Sequence, residues 1–103
     1  MCSTSTLGTG GISDRVNAVA IQLRGLEDLR QVEYRWGRIV RSLEDLAASV
    51  ARMRRRGGRP PGLDAAVGWL EAVIRHHPAL AGPGGEELRE ELARMIDRLR
   101  GAG

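Results

Sequence analysis

Between Leu29 and Met53 the apolar residues fall at Leu29, Val32, Trp36, Ile39, Leu43, Leu46, Val50 and Met53, at alternating steps of 3 and 4. Only a helix places residues at that spacing on one side, because about 3.6 residues complete each turn. A strand would need alternation, and a loop has no period. The seam therefore predicts a long amphipathic helix, around which the other segments must be arranged.

Upstream, Ile12, Val16, Val19, Leu23 and Leu26 continue the pattern at steps of 4, 3, 4 and 3. The register slips between Leu26 and Val32. Gly25 lies beside the slip, and Glu27 and Asp28 follow it, as acids do at a new helix start. Two readings stand: one long helix over 13–56 kinked near Gly25, or a helix that ends there and restarts. Ser13 or Asp14 offers an N-cap, with Ile12 as a hydrophobic staple. The small, glycine-rich residues 1–11 predict a flexible tail preceding a single helical domain over 12–103.

The long helix has a well-marked end. Arg54, Arg55 and Arg56 complement the negative end of the helix dipole, Gly57 and Gly58 supply a cap, and Pro60 and Pro61 prevent continuation. A second helix is predicted over 63–77, with Leu63, Ala66, Val67, Leu70, Val73 and Ile74 on its apolar face and Pro78 closing it. A third is predicted over 86–100, with Leu88, Leu92, Met95, Ile96 and Leu99 on one face. The fold class is all-α: one long heptad helix followed by two shorter antiparallel ones. The chain has no Phe, one Tyr and two Trp, so its core must come from Leu, Val, Ile, Ala and Met, which favours helices over sheets.

Length gives this reading a consequence. A helix over 26–56 would span about 46 Å at 1.5 Å per residue. A compact chain of this size is only about 34 Å across, from a radius of gyration near 13 Å. The upstream seam, Val16, Val19, Leu23, Leu26, Leu29, Val32, Trp36 and Ile39, is then left uncovered by its own chain. Each exposed side chain of this kind forgoes roughly 1.5–3 kcal/mol. The expected role is accordingly a non-catalytic assembly protein, a homo-oligomer (most simply a dimer) or a subunit of a larger complex, joined through those eight residues.

All 16 basic residues are arginine. Without lysine there is neither a Walker A loop nor a lysine Schiff base. Residues 1–59 hold 11 Arg and 6 acids, whereas residues 60–103 hold 5 Arg and 7 acids. The positive excess makes nucleic acid the alternative partner, contacted through Arg52, Arg54, Arg55, Arg56 and Arg59. Within this run Gly58-Arg59-Pro60, with Arg54–Arg56 upstream, resembles an AT-hook, and the resemblance implies insertion into the minor groove of A·T-rich DNA. Gly57 stands where the hook has a base, and no positive charge follows Pro61. Arg30, Arg41 and Arg52, spaced by 11, share one side of the helix with Tyr34 and Arg38 nearby and Asp45 interrupting.

Other chemistry is sparsely represented. Cys2 is the single cysteine, so no disulfide or cysteine metal cluster is expected. His76 and His77 point about 100° apart on a helix and lack an HExxH partner, so no metal and no cofactor are expected. Both are read as surface residues favourable to the helix dipole. Gly8-Thr9-Gly10-Gly11 lacks the preceding strand of an anion-binding loop. Trp36-Gly37 and Gly68-Trp69 suggest close helix approach at the glycines. Leu26-Glu27-Asp28-Leu29-Arg30, opening a long helix followed by two shorter ones, resembles the all-helical chorismate mutases, which hold a dianionic substrate between arginines and a lysine. The resemblance implies an enzyme as a remote alternative, although Gln31–Trp36 replaces the acid-rich repeat. No apolar run is long enough for a membrane span, and the N-terminus lacks a signal-peptide pattern, so a cytoplasmic protein is expected.

Overall fold

The seam is divided among three helices. In the computed structural model, which describes residues 11–101, α1 spans Ile12–Arg24, α2 Leu29–Tyr34 and α3 Trp36–Arg55. Two more follow: α4 (Leu63–Arg75) and α5 (Gly85–Arg100), linked through a single 3-10 turn at Pro78–Leu80. The described residues contain no strand. The all-α class stands, and the continuous helix over 13–56 does not. The expectations about the tail, Cys2 and Gly8-Thr9-Gly10 lie outside the described residues.

Of the two readings at Gly25, the chain takes the break, and its cause is local hydrogen bonding. Asp28 adopts extended backbone (φ −142°, ψ 171°) as the N-cap of α2. Its Oδ1 accepts from the Gln31 backbone N–H at 2.9 Å, while Gln31 Oε1 accepts from the Glu27 N–H at 2.7 Å. This is a variant of the capping box in which the Gln31 side chain reaches past the N-cap to the residue before it, so that the helix start and the turn leading into it are both tied down. A lesser interruption falls at Arg35 (φ −95°, ψ 4°). There the hydrogen-bond ladder persists, since the Arg35 N–H donates to Gln31 O and the Ile39 N–H donates to Arg35 O. The helix bends at Arg35 without ending.

Once the chain turns at Gly25–Asp28, α1 can lie against the rest of the molecule. It packs most extensively on α4 and also touches α3; α3 meets α5, and α5 meets α4. The four longer helices thus close a ring, α1–α3–α5–α4, around a shared core. Val16, Val19, Ala20 and Leu23 enter it from α1, Ile39, Leu43, Leu46 and Val50 from α3, Leu63, Ala66, Val67, Leu70 and Ile74 from α4, and Leu92, Ile96 and Leu99 from α5. Val32 of α2 and Leu80 of the 3-10 turn complete it. The longest principal extent is 44 Å and the radius of gyration 14.2 Å, close to the roughly 13 Å of a compact chain of this length. Even taken together across the bend, α2 and α3 run over Leu29–Arg55, about 40 Å at 1.5 Å per residue, within the molecule's own longest extent of 44 Å. The premise of a rod longer than its own body therefore fails.

The helix ends follow the predicted chemistry with small displacements. α3 ends in a Schellman motif: the Gly58 N–H donates to Met53 O and the Gly57 N–H to Arg54 O, with Gly57 left-handed at φ 83°. That φ is one that side chains with a Cβ adopt only with strain. α1 begins one residue earlier than expected, with Gly11 as N-cap and no side-chain cap, so neither Ser13 nor Asp14 serves. Gly37 and Gly68 face open space, and neither allows the close helix approach inferred from the Trp-Gly pairs. Gly85 does, because a Cβ there would sit 2.6 Å from the Leu80 carbonyl oxygen.

The largest local departure is at His77. α4 stops at Arg75, two residues early, and His77 is buried at 5% exposure rather than lying on a helical surface. Pro78 forbids helical continuation, and His77 becomes the N-cap of the 3-10 turn. Its Nδ1 accepts from the Ala79 N–H at 3.1 Å and its Nε2 lies 2.6 Å from Leu23 O. The first bond assigns the proton to Nε2, which donates to the Leu23 carbonyl. One neutral ring thereby fastens the end of α1 to the α4–α5 connection.

Two stability outcomes are expected from urea melts. Asp28→Ala should cost about 1 kcal/mol, the usual loss of a cap. His77→Ala should cost about 2–4 kcal/mol, because it opens a cavity and strips buried polar backbone groups of a partner. A His77→Ala loss near zero would mean that the ring carries no structural weight.

Candidate functional site

Of the eight seam residues expected to meet another chain, Val16, Val19, Leu23, Val32 and Ile39 are buried within their own fold. Leu26, Leu29 and Trp36 are half-buried and packed against the same core. The segment Leu26–Arg30 is the turn between α1 and α2 and the start of a short helix. The long-helix opening on which the chorismate mutase resemblance rests is therefore absent.

The Arg54–Arg59 run is also partly occupied. The Arg59 guanidinium pairs with Asp64 at 2.8 Å, Pro60 is buried, and Gly57 and Gly58 are tied into the Schellman motif. The Gly58-Arg59-Pro60 core is thus held as a helix terminus, not as an extended hook. The Arg54 guanidinium folds over Gly101, where a Cβ would collide with it. Arg54, Arg59 and Arg100 together line a cleft of about 290 Å³ floored by Val50, Leu63 and Leu99. The arginine run is in effect divided: Arg52, Arg55 and Arg56 remain exposed and outside any ion pair with a described acid.

The larger cationic feature lies on the outside of α2 and α3. Arg30, Tyr34, Arg38, Arg41, Asp45, Ala48, Arg52 and Arg55 follow one another at steps of 4, 4, 3, 4, 3, 4 and 3, and every one is exposed. This is a second stripe, opposite the buried Val32, Ile39, Leu43, Leu46 and Val50. It holds five arginines against one acid, and none of those arginines joins an ion pair with a described acid. Among the described residues, Arg52 alone of these arginines has a side-chain hydrogen bond, donating to Ser49 Oγ at 3.1 Å. The stripe runs about 37 Å along the helix axes at 1.5 Å per residue. Arg35, at the bend, is exposed beside it.

The spacing of Arg30, Arg41 and Arg52 announced this face. Arg55 extends it, and the exposure of each member could not be read before the packing of α3 was known. Tyr34, at 86% exposure, stands near one end between two shallow clefts. Gly25, Leu26, Arg30, Gln31 and Arg35 line the first with it, and Arg35 and Arg38 line the second.

On α4 and α5, Arg75, Arg94 and Arg100 pair with acids of the same two helices. Glu71 receives both Arg100 Nη2 at 2.6 Å and Nη1 at 3.3 Å, with Arg75 3.9 Å away. The hydrogen bond from Arg100, more than the surrounding charge, holds the Glu71 carboxyl below the ordinary carboxylate range and raises the Arg100 guanidinium in turn. Among the described residues no group of three His, Cys, Asp or Glu side chains is placed to hold a metal, and no helix is long and apolar enough to cross a membrane. No protein-family model, curated protein or solved structure matches this chain.

The Glu71–Arg100 pair yields a pH dependence of stability. A carboxyl lowered in the folded state contributes above its unfolded value and loses that contribution as pH falls through its folded value. Glu71→Gln should therefore lower stability at neutral pH and flatten the acid limb of a stability–pH curve. The effect should be small, since both side chains remain more than a third exposed and solvent screens the pair. An acid limb identical to that of the unsubstituted chain would show that the pair contributes nothing.

Proposed function

We propose that this chain is a small non-catalytic interaction module whose partner is a nucleic acid, bound by its phosphates along the outer stripe of α2 and α3. The observation that carries the reading is the stripe of five exposed arginines between Arg30 and Arg55, none of them in an ion pair with a described acid. Guanidinium groups are suited to phosphate because their planar fork donates two parallel hydrogen bonds and keeps its charge at all physiological pH. A line of them on a stiff helix presents charge at repeated intervals, as a polyanion does. The stripe's arginines differ from Arg59, which pairs with Asp64, and from Arg54, which lies over Gly101.

Self-association is the second reading. It rests on Leu26, Leu29 and Trp36, the seam members that keep partial exposure, and on Ile21, an α1 side chain 60% exposed. Light scattering on a sizing column separates it from the first. A stable dimer that Leu26→Asp dissolves supports it, and a monomer at all concentrations removes it.

The nucleic-acid reading is tested by fluorescence anisotropy over a salt series. With five phosphate contacts, affinity should fall roughly 100- to 500-fold between about 50 and 200 mM salt. Arg41→Gln should weaken binding and reduce the magnitude of the log–log salt slope by about 1, and Asp45→Asn should tighten binding. Binding that ignores salt, or that survives simultaneous substitution of Arg38, Arg41 and Arg52 by Gln, overturns the reading.

A further inference from the structure

Resting on that reading, we infer that the end of the stripe nearest α1 is a stacking site for the bases of a single strand, with Tyr34 as its platform. Tyr34 is the chain's single tyrosine and is 86% exposed. An aromatic ring so far out of the core contributes little to folding. Its surroundings are nevertheless specific. The two shallow clefts that share Tyr34 each measure about 460 Å³, and each carries arginine at its rim: Arg30 and Arg35 on one side, Arg35 and Arg38 on the other. Half-buried Leu26 adds an apolar wall to the first.

Ring and charges are held in register by the backbone. Arg30, Tyr34 and Arg38 are spaced by four on successive turns, and the ladder through Arg35 continues across the bend. Capping by Asp28 fixes the start of the segment only two residues before Arg30. A base lying on the ring leaves its phosphates beside these guanidiniums. Exposed aromatics set in a basic track are how sequence-tolerant single-strand binders hold bases, since every base has a π face. A paired duplex keeps its bases stacked inside and offers Tyr34 nothing but backbone.

Anisotropy with a labelled oligothymidylate of about 15 nucleotides, and with a duplex of the same length, tests the assignment. Tyr34→Ala should weaken the single strand about tenfold and leave duplex affinity within twofold. Tyr34→Phe should retain full affinity, because the face and not the hydroxyl is used. Arg38→Gln should weaken both ligands. Equal loss on both ligands with Tyr34→Ala, or no loss on either, overturns the stacking site while leaving phosphate binding by the stripe in place. Failure of the unsubstituted chain to bind either oligonucleotide at low salt overturns both. Because Tyr34 lies outside the core, unchanged thermal melting of Tyr34→Ala serves as the folding control.

Discussion

The arrangement of this molecule depends on a pair of short hydrogen bonds at a helix start. Asp28 accepts from the Gln31 N–H and Gln31 from the Glu27 N–H, and the chain leaves the helix between Gly25 and Leu29. Were the helix to continue, Val16, Val19 and Leu23 would project along a rod beyond reach of α4. With the turn in place, the same three residues are buried between α1, α3 and α4. Two local bonds worth about a kilocalorie apiece therefore decide the fate of apolar burial worth several times more. The larger sum stabilises the folded state, but the smaller one selects which folded state is available.

The inner and outer faces of α2–α3 share one backbone and divide the work. Val32, Ile39, Leu43, Leu46 and Val50 point inward and are buried. The interleaved stripe from Arg30 to Arg55 points outward and carries charge. The bend at Arg35 keeps its hydrogen-bond ladder, so neither stripe loses register there. On α4 and α5, by contrast, Arg75, Arg94 and Arg100 are drawn into ion pairs with Glu71 and Glu91.

Much of the fold was legible because helix periodicity and helix punctuation are local. The seam residues, the arginine-glycine end of α3 and the apolar faces of α4 and α5 all follow from spacing within a few turns. The break after Gly25 was visible only as one of two options, because a register slip of one residue suits a kink as well as a stop. The Asp28–Gln31 pairing that decides between them is a capping-box variant whose Gln lies three residues on, and it was overshadowed by the continuous seam. His77 was misread for a different reason. Its burial depends on Leu23, 54 residues away, and no local pattern signals a partner at that distance. The candidate site was half legible: Arg30, Arg41 and Arg52 declared a common side, but which arginines would be spent on Asp64 or over Gly101 is a tertiary fact.

The two adjacent histidines illustrate how sharply folding can distinguish neighbours of identical chemistry. His76 is exposed, with its imidazole available to solvent reagents. His77 commits one nitrogen as donor to Leu23 and the other as acceptor from Ala79. Neither lone pair nor proton is left over for an electrophile such as an acylating anhydride. Covalent labelling of the folded chain would then mark one residue of the pair and spare the other, and labelling of the second would report the moment at which α1 detaches from its anchor.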